Sequence, residues 1–254
     1  MKNLKILGLQ HDIQWKNKDK NFEIIENLLP KEEKPDIFLL PEMFATGFCM
    51  DVEEIADQNN EVLIKMKSLA VDNNIAVGGS VAVKEGGKFY NRFYFIEKNG
   101  TLHHYDKRHL FSYAKEDQFY APGTEKVVVE YLGWKICLQV CYDLRFPVFV
   151  RNTENYDLIL NVASWPSTRI DAWDTLLKAR AIENQCYVFG LNRVGNDGNK
   201  LQYNGSSHCF FADGSEIALL KDNLIYAELD KDLLIDFRTK FPFLADQDNF
   251  SISI

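Results

Sequence analysis

An α/β fold is predicted for this chain, with sheets covered by helices. Two features of the sequence lead there. Short apolar runs alternate with segments whose apolar residues recur at helical spacing, the mark of βα units. Turn pairs such as Gly86-Gly87 and Asn99-Gly100 separate β-rich runs and add hairpins that a simple doubly wound sheet lacks.

In chain order, residues 4–10 read as a strand, and Phe22, Ile25, Leu28 and Leu29 follow at helical spacing. Residues 36–40 (DIFLL) form a continuously apolar strand of the kind buried on both faces. Val62, Met66, Leu69 and Ala70 mark a second helix, with a strand at 75–81 after it. Beyond the hairpin region, which includes a strand at 93–96, residues 127–130 and 134–140 pair around Gly133. Residues 157–162 are another buried strand. Trp173, Leu176, Leu177 and the run 180–184 indicate a long helix, and 187–191 a strand. Asp197-Gly198 and Asp213-Gly214 separate the strands that remain. With no linker, repeat or low-complexity stretch, residues 1–254 are expected to form one domain.

Charge and cysteine usage narrow the function. Lys and Arg number 29 against 37 Asp and Glu, a net charge of -8 that argues against a nucleic-acid partner. Five cysteines, an odd and scattered set, do not form a disulfide framework and suit a reducing cytosol. Cys137 and Cys141 lie close and His208-Cys209 is a potential ligand pair, but no CxxC accompanies them, so no metal is expected. The run at 4–9 is too short for an export signal, and no stretch approaches the roughly 20 apolar residues of a membrane span. GxGxxG and GxxxxGK[ST] are both absent, which leaves no sign of a nucleotide cofactor.

Three polar residues directly follow, or lie between, strand-like runs. Glu42 (LLPEMF) sits at the carboxyl end of a buried strand, where open α/β sheets collect their active sites; a dipole-favoured Glu at a helix start has the same appearance. Cys141 (VCYDLRFP) follows the strand at 135–140. A strand-to-helix turn there would put the thiol at a helix N-terminus and lower its pKa, with the Tyr142 N–H facing an oxyanion; a buried, inert Cys is the plainer reading. Lys107 (YDKRHLF) stands between a strand and an aromatic-rich loop, as a solvated charge or as fixed positive charge for a thiolate.

In chain order, Glu42, Lys107 and Cys141 with their flanking words resemble the Glu-Lys-Cys triad of the nitrilase superfamily. The runs at 163–166 (ASWP) and 179–184 (ARAIEN) resemble that family's later blocks, so the likeness covers nearly the whole chain. It implies a four-layer α-β-β-α sandwich, a homodimer that extends it, no cofactor, and a second glutamate upstream of a Pro-Gly. Glu116, before Phe119 and Pro122-Gly123, is the residue for that role, although Asp117 is adjacent. The words YDKRHLF, VCYDLRFP and RAIENQ look closest to the omega-amidase branch, which hydrolyses the terminal amide of 2-oxo acids such as 2-oxoglutaramate. A carboxylate on such a substrate needs a cation: Arg145, Arg169 and Arg193 are candidates, and Arg145 could instead pair with Asp143. Phe44, Phe48, Phe111, Phe119 and Trp165 are candidate pocket walls. The same triad would serve a nitrilase or an N-carbamoyl amidohydrolase, and a non-catalytic scaffold would keep the fold. A papain-like Cys–His pair has His109 as its nearest histidine, more in place to shape the Lys107 loop than to act as base.

Overall fold

A computed structural model describes residues 3–32 and 34–252. Strand β1 (Leu4–Leu9), the short β2 (Ile37–Leu39) and β3 (Ala76–Glu85) are linked through α1 (Lys18–Leu28), the single turn α2 (Val52–Ile55) and α3 (Glu61–Asn73). Side-chain caps start both longer helices: Asn17 accepts the Lys20 N–H, and Asp57 accepts those of Val62 and Leu63. β2 runs parallel to β1 and β3, while β4 (Lys88–Ile96) and β5 (Leu102–Asp106) continue the sheet as an antiparallel meander around the Gly86-Gly87 and Asn99-Gly100 turns.

β6 (Val128–Tyr131) and β7 (Trp134–Val140) open a second sheet. The single turn α4 (Pro147–Val150) leads to β8 (Leu158–Ala163), and α5 (Ile170–Asn184) leads to β9 (Tyr187–Asn192). A small hairpin, β10 (Val194–Asn196) and β11 (Gln202–Asn204), precedes β12 (His208–Phe210). β13 (Leu219–Lys221) and β14 (Leu224–Leu229) return to the first sheet, and α6 (Lys231–Lys240) follows. The orders are β13-β14-β1-β2-β3-β4-β5 and β12-β9-β8-β7-β6.

The layers follow from alternation along the strands. Leu7, Leu9, Phe38 and Val77 face outward and bury Phe22 and Ile25 of α1 and Val62, Met66 and Leu69 of α3. Leu4, Ile6, Ile37, Leu39, Phe93 and Phe95 share a second core with Ile136, Leu138, Val140 and Leu160 of the other sheet. α5 covers that sheet's far face. Gly190 admits it closely, because a Cβ there would stand 2.4 Å from the Leu177 Cδ1. Helices, sheet, sheet and helix make the α-β-β-α sandwich.

The elements expected from periodicity are present, with shifted ends. The strand expected at 36–40 is trimmed to Ile37–Leu39, and the one at 75–81 runs on into the hairpin at Glu85. α2 and α6 were not anticipated. The larger correction is at Cys141: no long helix starts there, only a 3₁₀ turn over Cys141–Arg145 that Phe146 separates from the single turn of α4. No helix among the described residues is long and apolar enough to cross a membrane.

Candidate active site

The carboxyl ends of β2, β5, β7 and β8 meet on one side of the sandwich, each extended by a polar residue: Glu42, Lys107, Cys141 and Ser164. All four line a cavity of about 370 Å³. Glu42 lies in the turn after β2, where Met43 adopts a left-handed φ of 47° and the chain reverses. A Ser80 hydroxyl accepts the Met43 N–H and holds that reversal. Cys141 also sits at a positive φ, 47°, strained for a residue with a Cβ. Its N–H is latched by Asn161 Oδ1 of the parallel neighbour β8 at 3.1 Å. The amides at the head of a 3₁₀ turn lack partners within the turn, which leaves the Tyr142 N–H beside the thiol for a ligand oxygen.

Glu42 is 1% exposed, and each of its oxygens has a fixed partner. Oε1 accepts from Lys107 Nζ at 2.9 Å and Asn91 Nδ2 at 2.8 Å, and Oε2 accepts from the Ser164 N–H at 2.8 Å. The charge of this carboxylate also bears on the Cys141 thiol, which lines the same cavity. Lys107, 1% exposed, donates to both oxygens of Glu116 at 3.1 and 2.9 Å, and its ammonium lies 5.2 Å from the Phe48 ring centre. Glu116 is held in turn by the Phe111 N–H at 2.6 Å. Its neighbour Asp117 is exposed, so of the two adjacent acids Glu116 is the one inside.

These contacts set the protonation states. Burial alone would lower the Lys107 pKa, but the charges of Glu116 and Glu42 outweigh it, and the ammonium stays charged. Burial raises the Glu116 carboxyl above its ordinary value, helped by Glu42 and opposed by Lys107. Burial and then the Glu42 charge push the Cys141 thiol well up, with Lys107 and the Ser164 N–H pulling the other way. This overturns the expectation of a thiol acidified by a helix N-terminus. The turn is too short for a macrodipole, and desolvation dominates. The resting group is a neutral thiol, and Glu42 is the carboxylate whose charge bears on it most.

Of the other candidate residues, Tyr142, Arg145, Trp165 and Arg169 line the cavity, as do Phe48 and Phe111. Phe44 does not: it is fully buried under α1, edge-on to Phe22 with ring centres 5.7 Å apart. Phe119 does not either; it is 43% exposed outside the cavity wall. Arg193 is wholly buried, paired with Asp12 at 3.1 Å and set 4.7 Å from the Tyr203 ring centre, so it braces the wall from behind. Arg145 does not pair with Asp143, whose oxygens are taken by the Tyr105 hydroxyl, the His109 ring and the His109 and Val140 N–H groups. Its guanidinium lies 4.8 Å over Trp165 instead, as that of Arg169 lies 5.1 Å over Phe111. His109 binds Asp143 at 2.8 Å and stacks on Phe146, which fixes the loop next to Lys107.

Sequence reasoning missed one wall altogether. Asp197, Asn199, Leu201 and Tyr203 reach the cavity from the β10–β11 hairpin. Asp197-Gly198 had signalled only a turn. Asn91 and Ser164 were also missed. A lone Asn between aromatics in the run KFYNRFYF was the available signal for the first. Among the described residues no group of three His, Cys, Asp or Glu side chains is arranged to hold a metal.

Comparison with known proteins agrees with this geometry. The carbon-nitrogen hydrolase family profile matches residues 7–239. An omega-amidase YafV of Yersinia enterocolitica is 43% identical over 98% of this chain and 99% of its own. A 2-oxoglutaramate amidase of Bacillus subtilis is 32% identical over 94% and 95%. A crystallised CN-hydrolase superfamily protein of Xanthomonas campestris superposes with a TM-score of 0.96 at 37% identity, with both chains fully covered. A family profile that spans most of the chain, relatives aligned end to end and a matching sandwich together make this protein a member of the carbon-nitrogen hydrolase, or nitrilase, family.

Proposed function

We propose that this protein is an amidase that hydrolyses the terminal amide of a small 2-oxo acid, 2-oxoglutaramate or 2-oxosuccinamate, through a thioester on Cys141. The observation that carries the reading is that a buried neutral thiol and the Glu42 carboxylate line one cavity, with Lys107 hydrogen-bonded to that carboxylate. Glu42 takes the thiol proton as sulfur attacks the amide carbon, and the carbonyl oxygen becomes an oxyanion. The Tyr142 N–H and Lys107 hold that oxyanion. Glu116 takes Lys107 with both oxygens, so one N–H can serve both and another is left over for the intermediate. Glu42 then passes its proton to the departing nitrogen, the C–N bond breaks and ammonia leaves. Next it draws a proton from water, whose oxygen attacks the thioester carbon; the C–S bond breaks, the product is a carboxylate, and Cys141 regains its proton. Glu116 orients Lys107 throughout.

Arg145 and Arg169 support an anionic substrate. Both are half-buried in the cavity wall, and their side chains make no hydrogen bond or ion pair among the described residues. A carboxylate would complete either guanidinium. Trp165 and Phe111 hold the two cations in place, while Phe48 offers an apolar surface. The names of the Yersinia and Bacillus relatives point to the same substrates.

We further propose that residues 1–254 work as one domain, as a cytoplasmic homodimer. All five cysteines are buried and unpaired, as suits a reducing compartment, and light scattering of the purified protein tests the dimer. Ammonia release tests the activity. 2-Oxoglutaramate is expected to be the preferred substrate over glutamine, an alkyl nitrile and an N-carbamoyl amino acid. Preference for the nitrile or the carbamoyl compound would move the protein to another branch of the family, and preference for glutamine would remove the requirement for the 2-oxo group.

A further inference from the structure

We infer that Asn91 is a positioning residue of this site, one amide group spread across the carboxylates of Glu42 and Glu116 that holds Glu42 in place as the base; the inference rests on the thioester reading above. Asn91 lies in β4 opposite Ala82 of β3 and is fully buried. Its Nδ2 donates to Glu42 Oε1 at 2.8 Å and to Glu116 Oε1 at 3.2 Å. Its backbone oxygen accepts the Lys107 backbone N–H at 2.9 Å, so one residue touches both acids and holds the main chain that carries the lysine.

The carboxamide has one workable orientation. Turned over, its oxygen would face two carboxylate oxygens. As it stands, Oδ1 has no hydrogen-bond partner among the described residues. An orphaned buried acceptor is costly, and folds keep such groups where the other end of the side chain is needed.

The charges at the site show that need. Two carboxylates, Glu42 and Glu116, face one cation, Lys107, with the Cys141 thiol and the Tyr120 phenol as the remaining titratable neighbours and Phe48 as an apolar cover. An unbalanced negative charge in a dry site favours uptake of a proton, and a proton on Glu42 removes the base. A second lysine would correct the balance but would compete with the thiol for Glu42. A neutral donor shared by both acids stabilises their ionised forms without adding charge. Asn91 touches no cavity space, so its influence passes through Glu42 and Glu116.

The test is the pH dependence of Cys141 alkylation by iodoacetamide, followed by intact-protein mass, beside the kcat and KM of amide hydrolysis. Removal of a hydrogen bond to a carboxylate raises that carboxylate's pKa. The acid limb of both profiles should therefore move upward by about one pH unit in Asn91→Leu. Asn91→Asp adds a third carboxyl and should move it at least as far. In both variants kcat falls with KM close to wild type. The second variant differs by a single group and decides the matter if the first does not fold. An unmoved acid limb in the folded variants, whether rates are unchanged or uniformly lower, assigns Asn91 to packing alone and overturns the inference. Cys141→Ala is run in parallel: ammonia release by that variant sinks the thioester reading itself, independently of the Asn91 result.

Discussion

In the proposed mechanism Glu42 handles a proton on both sides of the thioester, and its two oxygens are already divided among Lys107, Asn91 and Ser164. Glu42→Gln preserves the shape and removes the proton traffic. Attack should slow severely, and any acyl group that reaches Cys141 should persist, because its water lacks a base. Intact-protein mass spectrometry after incubation with an amide substrate is expected to show the added acyl mass; wild-type turnover with no adduct would move the base to Glu116. Lys107 and His109 are two residues apart in sequence but have different surroundings. Lys107 is among the acids, and His109 is clamped by Asp143 and Phe146. Lys107→Ala is expected to cut the single-turnover acylation rate by about two to three orders of magnitude, with much less loss in His109→Ala. The reverse ranking would restore the Cys–His mechanism.

At the scale of elements, β7 and β8 act as a pair: one ends in the strained Cys141, and the other supplies Asn161, which holds it. α5 then ties the cavity wall to the rest of the sheet. Trp173 packs at a tilt against Trp165, with ring centres 5.4 Å apart, and the Trp165 ring carries Arg145. His208 on β12 reaches across to α5. Its Nε2 meets Asp174 at 3.1 Å and its Nδ1 meets Glu216 at 2.6 Å, an arrangement that only an imidazolium with two donors satisfies. Burial would lower the His208 pKa, but the bonds and charges of Glu216 and Asp174 win and raise it above 6.5. A raised histidine pKa contributes stability that is complete below the unfolded value and is lost as pH rises through the folded one. Thermal melts should therefore show a larger drop in Tm between about pH 6 and about pH 8 in the wild type than in His208→Gln. Equal drops would show that the cluster does not couple protonation to folding.

The molecule as a whole is governed by how closely its two sheets approach. Gly8 of β1 faces the second sheet, and a Cβ there would lie 2.8 Å from Leu191 Cδ1, 2.9 Å from Ile225 Cγ2 and 3.0 Å from Phe189 Cε1. Those side chains are themselves fully buried and have little room to yield. Gly8→Val is expected to destabilise the fold by about 1–3 kcal/mol, read as a lower denaturant midpoint with an unchanged slope. An unchanged midpoint would mean that the inter-sheet core repacks freely. The same spacing matters to the site, because Glu42 and Lys107 extend from the first sheet while Cys141 and Ser164 extend from the second. The hydrogen bond of Glu42 to the Ser164 N–H crosses between them.

By itself the sequence determined the alternation of strands and helices and the positions of Glu42, Lys107 and Cys141. Period and punctuation are local properties, and each of the three residues sits at a strand end that local signals mark. Tertiary structure decided which neighbours enter the site. Phe44 and Phe48 stand four residues apart in one aromatic segment, and the chain reversal at Met43 sends the first into the α1 core and the second against Lys107. Arg145, Arg169 and Arg193 look alike in sequence, yet among the described residues only the last finds a carboxylate partner, Asp12, 181 residues away. The pKa of Cys141 was misjudged for the same reason: desolvation depends on everything packed around the thiol, and no stretch of chain near Cys141 encodes it.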